Sequence, residues 1–413
     1  MTATLSSNLH HLSAGAALQG MQDGKFSARD YLAACLARIE AVEPQLRAWA
    51  HLDSALAEAC ADEVDAARWA GRDPGILGGV PVGVKDIFNT LDMPTQMGSP
   101  IWAGFTPGND SRVVHYLRMA GAVFPGKTVT AEFAVHTPGP TRNPHNPEYM
   151  PGTSSSGSAV AVAAGMVPLA LGTQTAGSIV RPASYCGVYG FKPSFGLVPR
   201  TGMLKTTDTL DTVGLFARTV DDVALMFEVV RVHGLDYPIL HRELNRPDRR
   251  VKGADRPWRV AVVAGPQWDA AEGYARQALD GFAARLGREP GAEVTRVELP
   301  DSLRRAHAVH AVIYDRTLAY YFRDEFQKAS LVSGVMYEII ARGNVITLDQ
   351  YKQALQEQTA LAREFDHLLG EYDVMLNLAT GGEALHGLES PDRPDNCLIW
   401  TLCGVPAPGT PGR

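Results

Sequence analysis

Two glycine-rich loops carry the serines that are best placed for catalysis. The first, Gly-Thr-Ser-Ser-Ser-Gly-Ser at residues 152–158, contains Ser154, and the second ends at Ser178, 24 residues after Ser154. A serine becomes a nucleophile when a neighbouring base takes its proton and when backbone N–H groups bind the oxyanion that forms. Glycine-rich turns can point successive N–H groups inward. The first loop alone could be a merely flexible Gly/Ser segment, but the second loop at its fixed distance, with Lys85 upstream, favours covalent catalysis by a serine.

Lys85 is the candidate base for these serines. It ends the segment Gly-Gly-Val-Pro-Val-Gly-Val-Lys at residues 78–85, whose composition indicates a buried strand. A lysine accepts a proton when desolvation and its neighbours keep it neutral. The alternative is a charged structural lysine paired with a carboxylate, but the adjacent Asp86 would point to the opposite face of a continuing strand.

Other catalytic patterns fit the sequence less well. Residues 121–128 match a phosphate-binding loop, Gly-x-x-x-x-Gly-Lys-Thr, but that motif needs a strand before it and a helix after it. Here a helical segment precedes the match, and the strand-like residues 129–135 follow it. No Gly-x-Ser-x-Gly elbow and no Ser-x-x-Lys occurs. His136 and His145, near the first loop, are an alternative base, although loop histidines usually lie at the surface.

The composition is typical of a soluble globular protein. The 413 residues are 45% apolar and 20% charged, with a net charge of −7. No basic surface for nucleic acid or anionic lipid is implied, and no window of about 18 apolar residues indicates a membrane-spanning helix. Five cysteines without a Cys-x-x-Cys pair fit free thiols in a reducing compartment, and no ligand spacing indicates a metal. Because no signal peptide is recognised, we expect a cytoplasmic protein.

Strands that alternate with helices predict an α/β protein. Ser27 and Asp30 form a capping-box variant at the start of the first predicted helix. Predicted helices cover residues 28–42, 53–69, 111–119, 158–165, 218–232, 271–286 and most of 302–369, and predicted strands cover 78–84 and 259–264. The polar residues 236–257 indicate an insertion or a lobe boundary. Residues 70–232 would then form the core that holds the catalytic residues, and residues 258–413 a second, mostly helical lobe.

These segments resemble the amidase signature family, serine hydrolases of carboxamides that use a Ser–Ser–Lys arrangement. Further matches are Gly-Lys-Thr…Glu-Phe at 126–133, Thr-Arg-Asn-Pro at 141–144, Gly-Phe-Lys-Pro-Ser at 190–194 and Trp-Thr-Leu-Cys-Gly-Val-Pro at 400–406. The resemblance implies a mixed, twisted central β-sheet covered by helices on both faces, with a helical insertion. It implies a single domain over residues 1–413 and no cofactor. Family members generally continue beyond the last motif, so the C-terminal end is expected to be shortened.

The resemblance also assigns roles to residues of the two loops. Ser178 is the nucleophile, Ser154 is the bridging serine that follows a cis peptide bond, and Lys85 is the base. Ser155 supports them, and the oxyanion hole and substrate site include Thr175, Ala176 and Gly177. Thr153, Ser156 and Ala176 replace glycines of the family pattern, and we expect these replacements to be tolerated unless one requires a positive φ.

Arg181 follows the nucleophile by three residues. This placement resembles malonamidase-like members, in which the arginine binds a substrate carboxylate. An arginine that pairs with a buried carboxylate or with loop carbonyls is the equally weighted alternative.

The resemblance implies an amidohydrolase that cleaves the carbon–nitrogen bond of a small carboxamide through a serine acyl-enzyme and releases ammonia or an amine. Two alternatives stay open: the glutamine-hydrolysing A-type subunit of a tRNA-dependent amidotransferase, and an inactive, shortened family member. The expected partner is a small amide substrate, without nucleic acid or membrane. A homodimer is one possible assembly.

Overall fold

A mixed β-sheet forms the centre of the molecule, whose computed structural model describes residues 8–234, 256–389 and 392–410. Its strands are β1 (Trp49–Leu52), β2 (Val82–Lys85), β3 (Gly126–Thr128), β4 (Leu169–Gln174), β5 (Tyr189–Lys192), β6 (Thr212–Ala217) and, late in the chain, β10 (Ala407–Gly409). They lie in the order β1-β3-β2-β4-β6-β5-β10. β2 runs parallel to β3 and to β4, and the other pairs are antiparallel. The carboxyl ends of β2 and β4 therefore lie side by side.

Helices surround this sheet. In the described part of the chain, the α-helices are α1 (Ala14–Gln22), α2 (Ala28–Leu46), α3 (Ser54–Trp69), α4 (Arg112–Met119), α5 (Ser156–Ala163), α6 (Val180–Cys186), α7 (Val220–Val230), α8 (Gly273–Leu286), α9 (Ala306–Tyr321), α10 (Arg323–Phe326), α11 (Gly334–Val345), α12 (Leu348–Leu369) and α13 (Leu398–Leu402). The predicted capping box starts α2: the Asp30 N–H donates to Ser27 Oγ at 3.0 Å, and the Ser27 N–H donates to the Asp30 carboxylate at 2.9 Å. The helix continues to Leu46, four residues beyond its predicted end.

Both faces of the sheet are buried. Because strand side chains alternate between faces, Leu169 and Leu171 of β4 pack with helices α1 to α4 and α7 in one apolar cluster. Ala170 of β4 and Phe216 of β6 point into a second cluster with α5 and α6. The structure thus confirms the predicted mixed sheet with helices on both faces.

A second, smaller sheet lies beyond residue 256. Its parallel strands are β7 (Trp258–Val263), β8 (Ala292–Val297) and β9 (Val374–Leu376), in the order β8-β7-β9. They share an apolar cluster with α9, α12 and α13, and this cluster includes Val180 of α6. The chain then returns to the main sheet, because β10 pairs with β5. Of the polar segment predicted at residues 236–257, only the last two residues lie within the described part.

Two further observations concern the cysteines and the hydropathy of the helices. All five cysteines are free thiols, and four of them are buried. Among the residues that the structure describes, no helix is long and apolar enough to cross a membrane.

Candidate active site

Lys85 is the last residue of β2, and its side chain is fully buried. Its Nζ lies 2.8 Å from Ser154 Oγ, 3.0 Å from Ser155 Oγ and 2.9 Å from Thr173 Oγ1. No carboxylate in the described ranges lies within ion-pair distance of this amine, whereas the neighbouring Asp86 pairs with Lys127 at 3.4 Å. A neutral amine has two N–H donors and one lone pair, so it matches three hydroxyl groups, two that accept and one that donates. The structural-lysine alternative, which needs a carboxylate partner, does not fit this geometry.

Burial shifts the protonation equilibrium of this amine towards its neutral form. Desolvation lowers the pKa of Lys85 well below its usual value, and the more distant Asp211 opposes this shift without cancelling it. The neutral form, which can accept a proton, is therefore favoured near neutral pH far more than in an exposed lysine.

The first serine loop leads into α5 and contacts Lys85 through Ser154 and Ser155. The peptide bond between Thr153 and Ser154 is cis, as the resemblance implies for the bridging serine. Ser155 also contacts β4, since its hydroxyl lies 3.1 Å from the Thr173 carbonyl. Neither Thr153 nor Ser156 has a positive φ, whereas Gly152 does, at 86°. Thr153 and Ser156, which replace glycines of the family pattern, are thus free of left-handed backbone strain.

Gly157 allows the start of α5 to lie directly against the residues that precede β1 and follow β3. A Cβ at this position would lie 2.3 Å from the Val129 nitrogen and 2.4 Å from the Ala48 carbonyl oxygen. Those distances are far below van der Waals contact, so only glycine fits here. Ser154 and Ser155, which directly precede α5, contact Lys85 at the end of β2.

The second serine loop connects β4 to α6. Ser178 is 7% exposed and lies two residues before α6. In the described part of the chain, no hydrogen bond joins its hydroxyl to Ser154 or to Lys85. The structure thus brings Lys85, Ser154 and Ser155 into direct contact and places Ser178 at the start of the neighbouring helix.

The backbone of this second loop has free donors. No group of the described residues accepts a hydrogen bond from the N–H groups of Ala176, Gly177 or Ser178. Buried backbone N–H groups are rarely left without a partner, so three in succession are suited to bind an anionic oxygen. Ala176 has no positive φ, and neither has Gly177. Gly177 is therefore not required by a left-handed turn. It is required by Asp395, because a Cβ on Gly177 would lie 2.2 Å from the Asp395 carboxylate.

Arg181 is fully buried in α6, and its guanidinium has protein partners. It forms ion pairs with Asp392, at 2.8 Å, and with Asp395, and it donates to the Thr153 carbonyl at 3.0 Å. Burial alone would lower the pKa of Arg181, but the two carboxylates outweigh burial and raise it. Its charge is thus compensated inside the protein, so the geometry favours the alternative in which Arg181 pairs with buried carboxylates.

The histidines proposed as alternative bases lie elsewhere. His145 Nε2 lies 2.9 Å from the Cys186 carbonyl, to which it must donate. The His136 side chain is exposed, and its ring lies 5.9 Å from the Tyr314 ring. Within the described ranges, neither histidine forms a hydrogen bond with Ser154 or Ser178.

The phosphate-binding-loop match is explained by a structural lysine. Lys127 Nζ donates to the carbonyls of Phe88, at 2.8 Å, and Pro94, at 3.0 Å, and to Thr95 Oγ1 at 2.7 Å. The motif ends in β3 and is followed by a short turn, Glu132–Ala134, instead of the helix that phosphate binding requires.

Three residues of the site were not found from the sequence. Thr173 contacts Lys85, and its only sequence signal is a hydroxyl near the end of an apolar strand. His310 and Thr401 contact the second serine loop: His310 Nε2 donates to the Thr175 carbonyl at 2.8 Å, and Thr401 Oγ1 donates to the Ala176 carbonyl at 2.9 Å. The motif at 400–406 was recognised, but nothing in it indicated this contact.

Comparison with known proteins identifies the family. A family model described as Amidase matches residues 30–408. The chain belongs to the amidase signature family. The solved structure of peptide amidase from Stenotrophomonas maltophilia has a TM-score of 0.81 with this amidase-family chain at 29% identity, covering 96% of this chain and 89% of that one.

Relatives in the family include components of a larger enzyme. The A-type subunit of glutamyl-tRNA(Gln) amidotransferase from Chloroflexus aggregans is 34% identical over 404 residues, which cover 89% of this chain and 81% of that protein. Its counterpart from Chloroflexus aurantiacus is 44% identical over 231 residues, covering 54% of this chain. That alignment spans about half the length of the counterpart, 47%. This amidase-family member thus resembles both hydrolases and amidotransferase subunits.

Proposed function

We propose that this chain is an amidase that hydrolyses the carbon–nitrogen bond of a carboxamide through an acyl-enzyme on Ser178. The observation that carries the proposal is the buried Lys85 amine, which lies 2.8 Å from Ser154 and has no carboxylate partner in the described residues. A desolvated amine among hydroxyl groups can act as a base. Burial favours its neutral form, and the neutral amine can accept a proton from a reacting group.

In the proposed reaction, protons pass between Ser178, Ser154 and Lys85. Ser178 Oγ attacks the amide carbonyl carbon, its proton moves to Ser154, and the Ser154 proton moves to Lys85 Nζ. The carbon–nitrogen bond then breaks, and the leaving amine takes the proton back through the same relay. Water attacks the Ser178 ester in the same way, which releases the acid and restores the hydroxyl. This relay requires a hydrogen bond between Ser178 and Ser154 in the substrate complex, where catalytic hydrogen bonds often tighten.

The loop after β4 supports the same chemistry. The oxyanion of the tetrahedral intermediate would be bound by the free N–H groups of Ala176, Gly177 and Ser178. Removal of one such donor in a serine hydrolase slows kcat by about 10²–10³-fold, so this loop is expected to supply a large share of the rate.

A second candidate is the glutamine-hydrolysing subunit of a tRNA-dependent amidotransferase. It is favoured by the relatives of that name, which reach 34% identity over 89% of the chain. The chemistry at Ser178 would be the same, and the ammonia would pass to a partner protein. Purification of the tagged chain from its native cell decides between the two: stoichiometric recovery of two other proteins supports the second candidate, and recovery of the chain alone, or as a homodimer, supports the first.

The chemical test of the proposal uses a fluorophosphonate, a reagent that phosphonylates activated serines. We expect the wild-type chain to be labelled at Ser178, as located by mass spectrometry, and to release ammonia from at least one member of a carboxamide panel. The panel should contain malonamate and butyramide and be run on wild type and Arg181→Leu. A preference for malonamate that Arg181→Leu loses would show that Arg181 binds a substrate carboxylate despite Asp392 and Asp395. A chain that is folded but neither labelled nor active would be the inactive family member.

A further inference from the structure

Two side chains from the later part of the chain form hydrogen bonds with the loop that precedes Ser178. Thr401 lies in α13 and His310 in α9, and both are buried. Thr401 Oγ1 donates to the Ala176 carbonyl at 2.9 Å, and His310 Nε2 donates to the Thr175 carbonyl at 2.8 Å, since a carbonyl can only accept. Each contact thus fixes one peptide plane of the loop.

Fixing a carbonyl also fixes the N–H of the same peptide. In a trans peptide the C=O and the N–H point in opposite directions. The Ala176 carbonyl points to Thr401, so the Gly177 N–H points away from α13. The Thr175 carbonyl points to His310, so the Ala176 N–H points away from α9. These N–H groups are two of the free donors of the loop.

Thr401 is itself held in one orientation. Gln174 Nε2 donates to Thr401 Oγ1 at 2.9 Å, so the single hydroxyl proton of Thr401 is left for Ala176. Gln174 Oε1 meanwhile accepts from the N–H groups of Ile179 and Val180, at 2.9 and 3.0 Å. One buried glutamine therefore connects the end of β4, the start of α6 and the hydroxyl of Thr401.

We propose that Thr401 and His310 are positioning residues for the oxyanion hole, which they preorganise by holding two peptide planes of the 175–177 loop. The inference rests on the proposed function, because it assigns a role within that reaction. By this inference, the late motif at 400–406 contributes to catalysis indirectly, because Thr401 orients the backbone of the 175–177 loop. Preorganised donors act on the transition state more than on the bound substrate, so losing either contact should slow the chemical step and leave reversible binding unchanged.

The experiment measures fluorophosphonate labelling of Ser178 at several reagent concentrations, which separates the inactivation rate constant from the reversible binding constant. Thr401→Val keeps the shape and removes the hydroxyl, Thr401→Ser restores it, and His310→Phe keeps a ring against Tyr314 without the N–H donor. We expect the inactivation rate constant to fall about 10- to 100-fold in Thr401→Val and His310→Phe, less than for outright removal of a donor. Thr401→Ser should stay within about threefold of wild type, and the binding constant should not change.

Thr90→Val is the matched control. Thr90 is fully buried and its hydroxyl donates to the Met93 carbonyl at 2.9 Å, so the change removes an equivalent hydrogen bond away from the loop. It should label at the wild-type rate. The inference is overturned if Thr401→Val labels as fast as wild type, or if Thr90→Val is slowed as much. Should Thr401→Val fail to fold, His310→Phe decides alone, and a wild-type rate there overturns the inference. A wild-type chain that is not labelled at Ser178 instead refutes the proposed function, and the inference falls with it.

Discussion

At the scale of single residues, the proposed roles of the two serines differ in a measurable way. Ser178 forms the covalent bond, so Ser178→Ala should reduce turnover by a factor of about 10⁴ or more, as loss of a nucleophile does in other serine hydrolases. Ser154 only passes a proton, and a water molecule can bridge the gap poorly, so Ser154→Ala should retain a small, measurable rate. Ammonia release on the best amide of the panel is the measurement. A fully active Ser154→Ala would remove Ser154 from the relay.

The Lys85 amine predicts the pH dependence of activity. The neutral form is the active one, so kcat/KM should rise as pH increases through the lowered pKa of Lys85 and then level off. Lys85→Met should lower kcat/KM at every pH and abolish this rise. A pH–rate profile with the same shape in Lys85→Met would exclude the lysine as the base.

The same amine predicts a pH dependence of stability. The folded pKa of Lys85 lies below the unfolded value of about 10.4, so between these two values the unfolded chain binds more protons. The free energy of unfolding should therefore rise with pH across that window and be independent of this group above it. Lys127 and Lys192, whose pKa values burial lowers to about 8 and about 7, add to the effect. Urea unfolding of wild type and Lys85→Met at several pH values isolates the contribution of Lys85, and parallel curves would contradict the prediction.

At the scale of elements, the close approach of α5 to the sheet predicts opposite effects for two glycines in helices. Gly157→Ala would place a Cβ 2.3 Å from the Val129 nitrogen and should reduce the free energy of unfolding by about 1–3 kcal/mol or more. Gly281 in α8 has no atom within 4 Å of the position that a Cβ would take, so Gly281→Ala should raise the free energy of unfolding by about 0.5–1 kcal/mol. Denaturation of both variants is the measurement, and equal effects would contradict the assigned packing.

Elements with a clear period could be predicted from the sequence. The capping box of α2 and the helical periods over 111–119 and most of 302–369 are local patterns, and α4 and α12 lie within those two predicted ranges. Residues 129–135 were expected to be strand-like, and that prediction was wrong. The Val129 N–H donates to Ala48, the Ala131 N–H to Ser154 and the Phe133 N–H to Met97, so distant segments hold this stretch in a turn with φ of 48° at Phe133. No local pattern encodes such contacts.

At the scale of the whole molecule, the site depends on segments that are far apart in sequence. Lys85 and Ser154 could be predicted as site residues because each lies in a local motif. Thr401 is 225 residues from Ala176, and Asp395 is 214 residues from Arg181. Sequence patterns of single segments cannot show that these residues meet. The contacts that hold the second serine loop and the partners of Arg181 therefore required the folded structure.

Arg181 joins α6 to the segment before α13, and this tie predicts a large effect on stability. Arg181→Leu would leave Asp392 and Asp395, each about 10% exposed, buried without their cation. Breaking a buried ion pair by removing one partner typically lowers the free energy of unfolding by about 3–5 kcal/mol. Arg342→Leu is the control, because Arg342 is 57% exposed in its pair with Asp315 and should lose about 1 kcal/mol or less.

The decisive measurement is urea unfolding of both arginine variants beside Arg181→Leu/Asp392→Asn/Asp395→Asn, in which the buried charges are removed together. If the two aspartates are the reason for the loss, the triple variant should recover part of the stability that Arg181→Leu loses, because neutral amides cost less to bury than unpaired carboxylates. Equal stability of Arg181→Leu and wild type would mean that the guanidinium is held for a ligand and not for the fold. That result would return Arg181 to the substrate-binding role and favour an acyl group with an acidic tail.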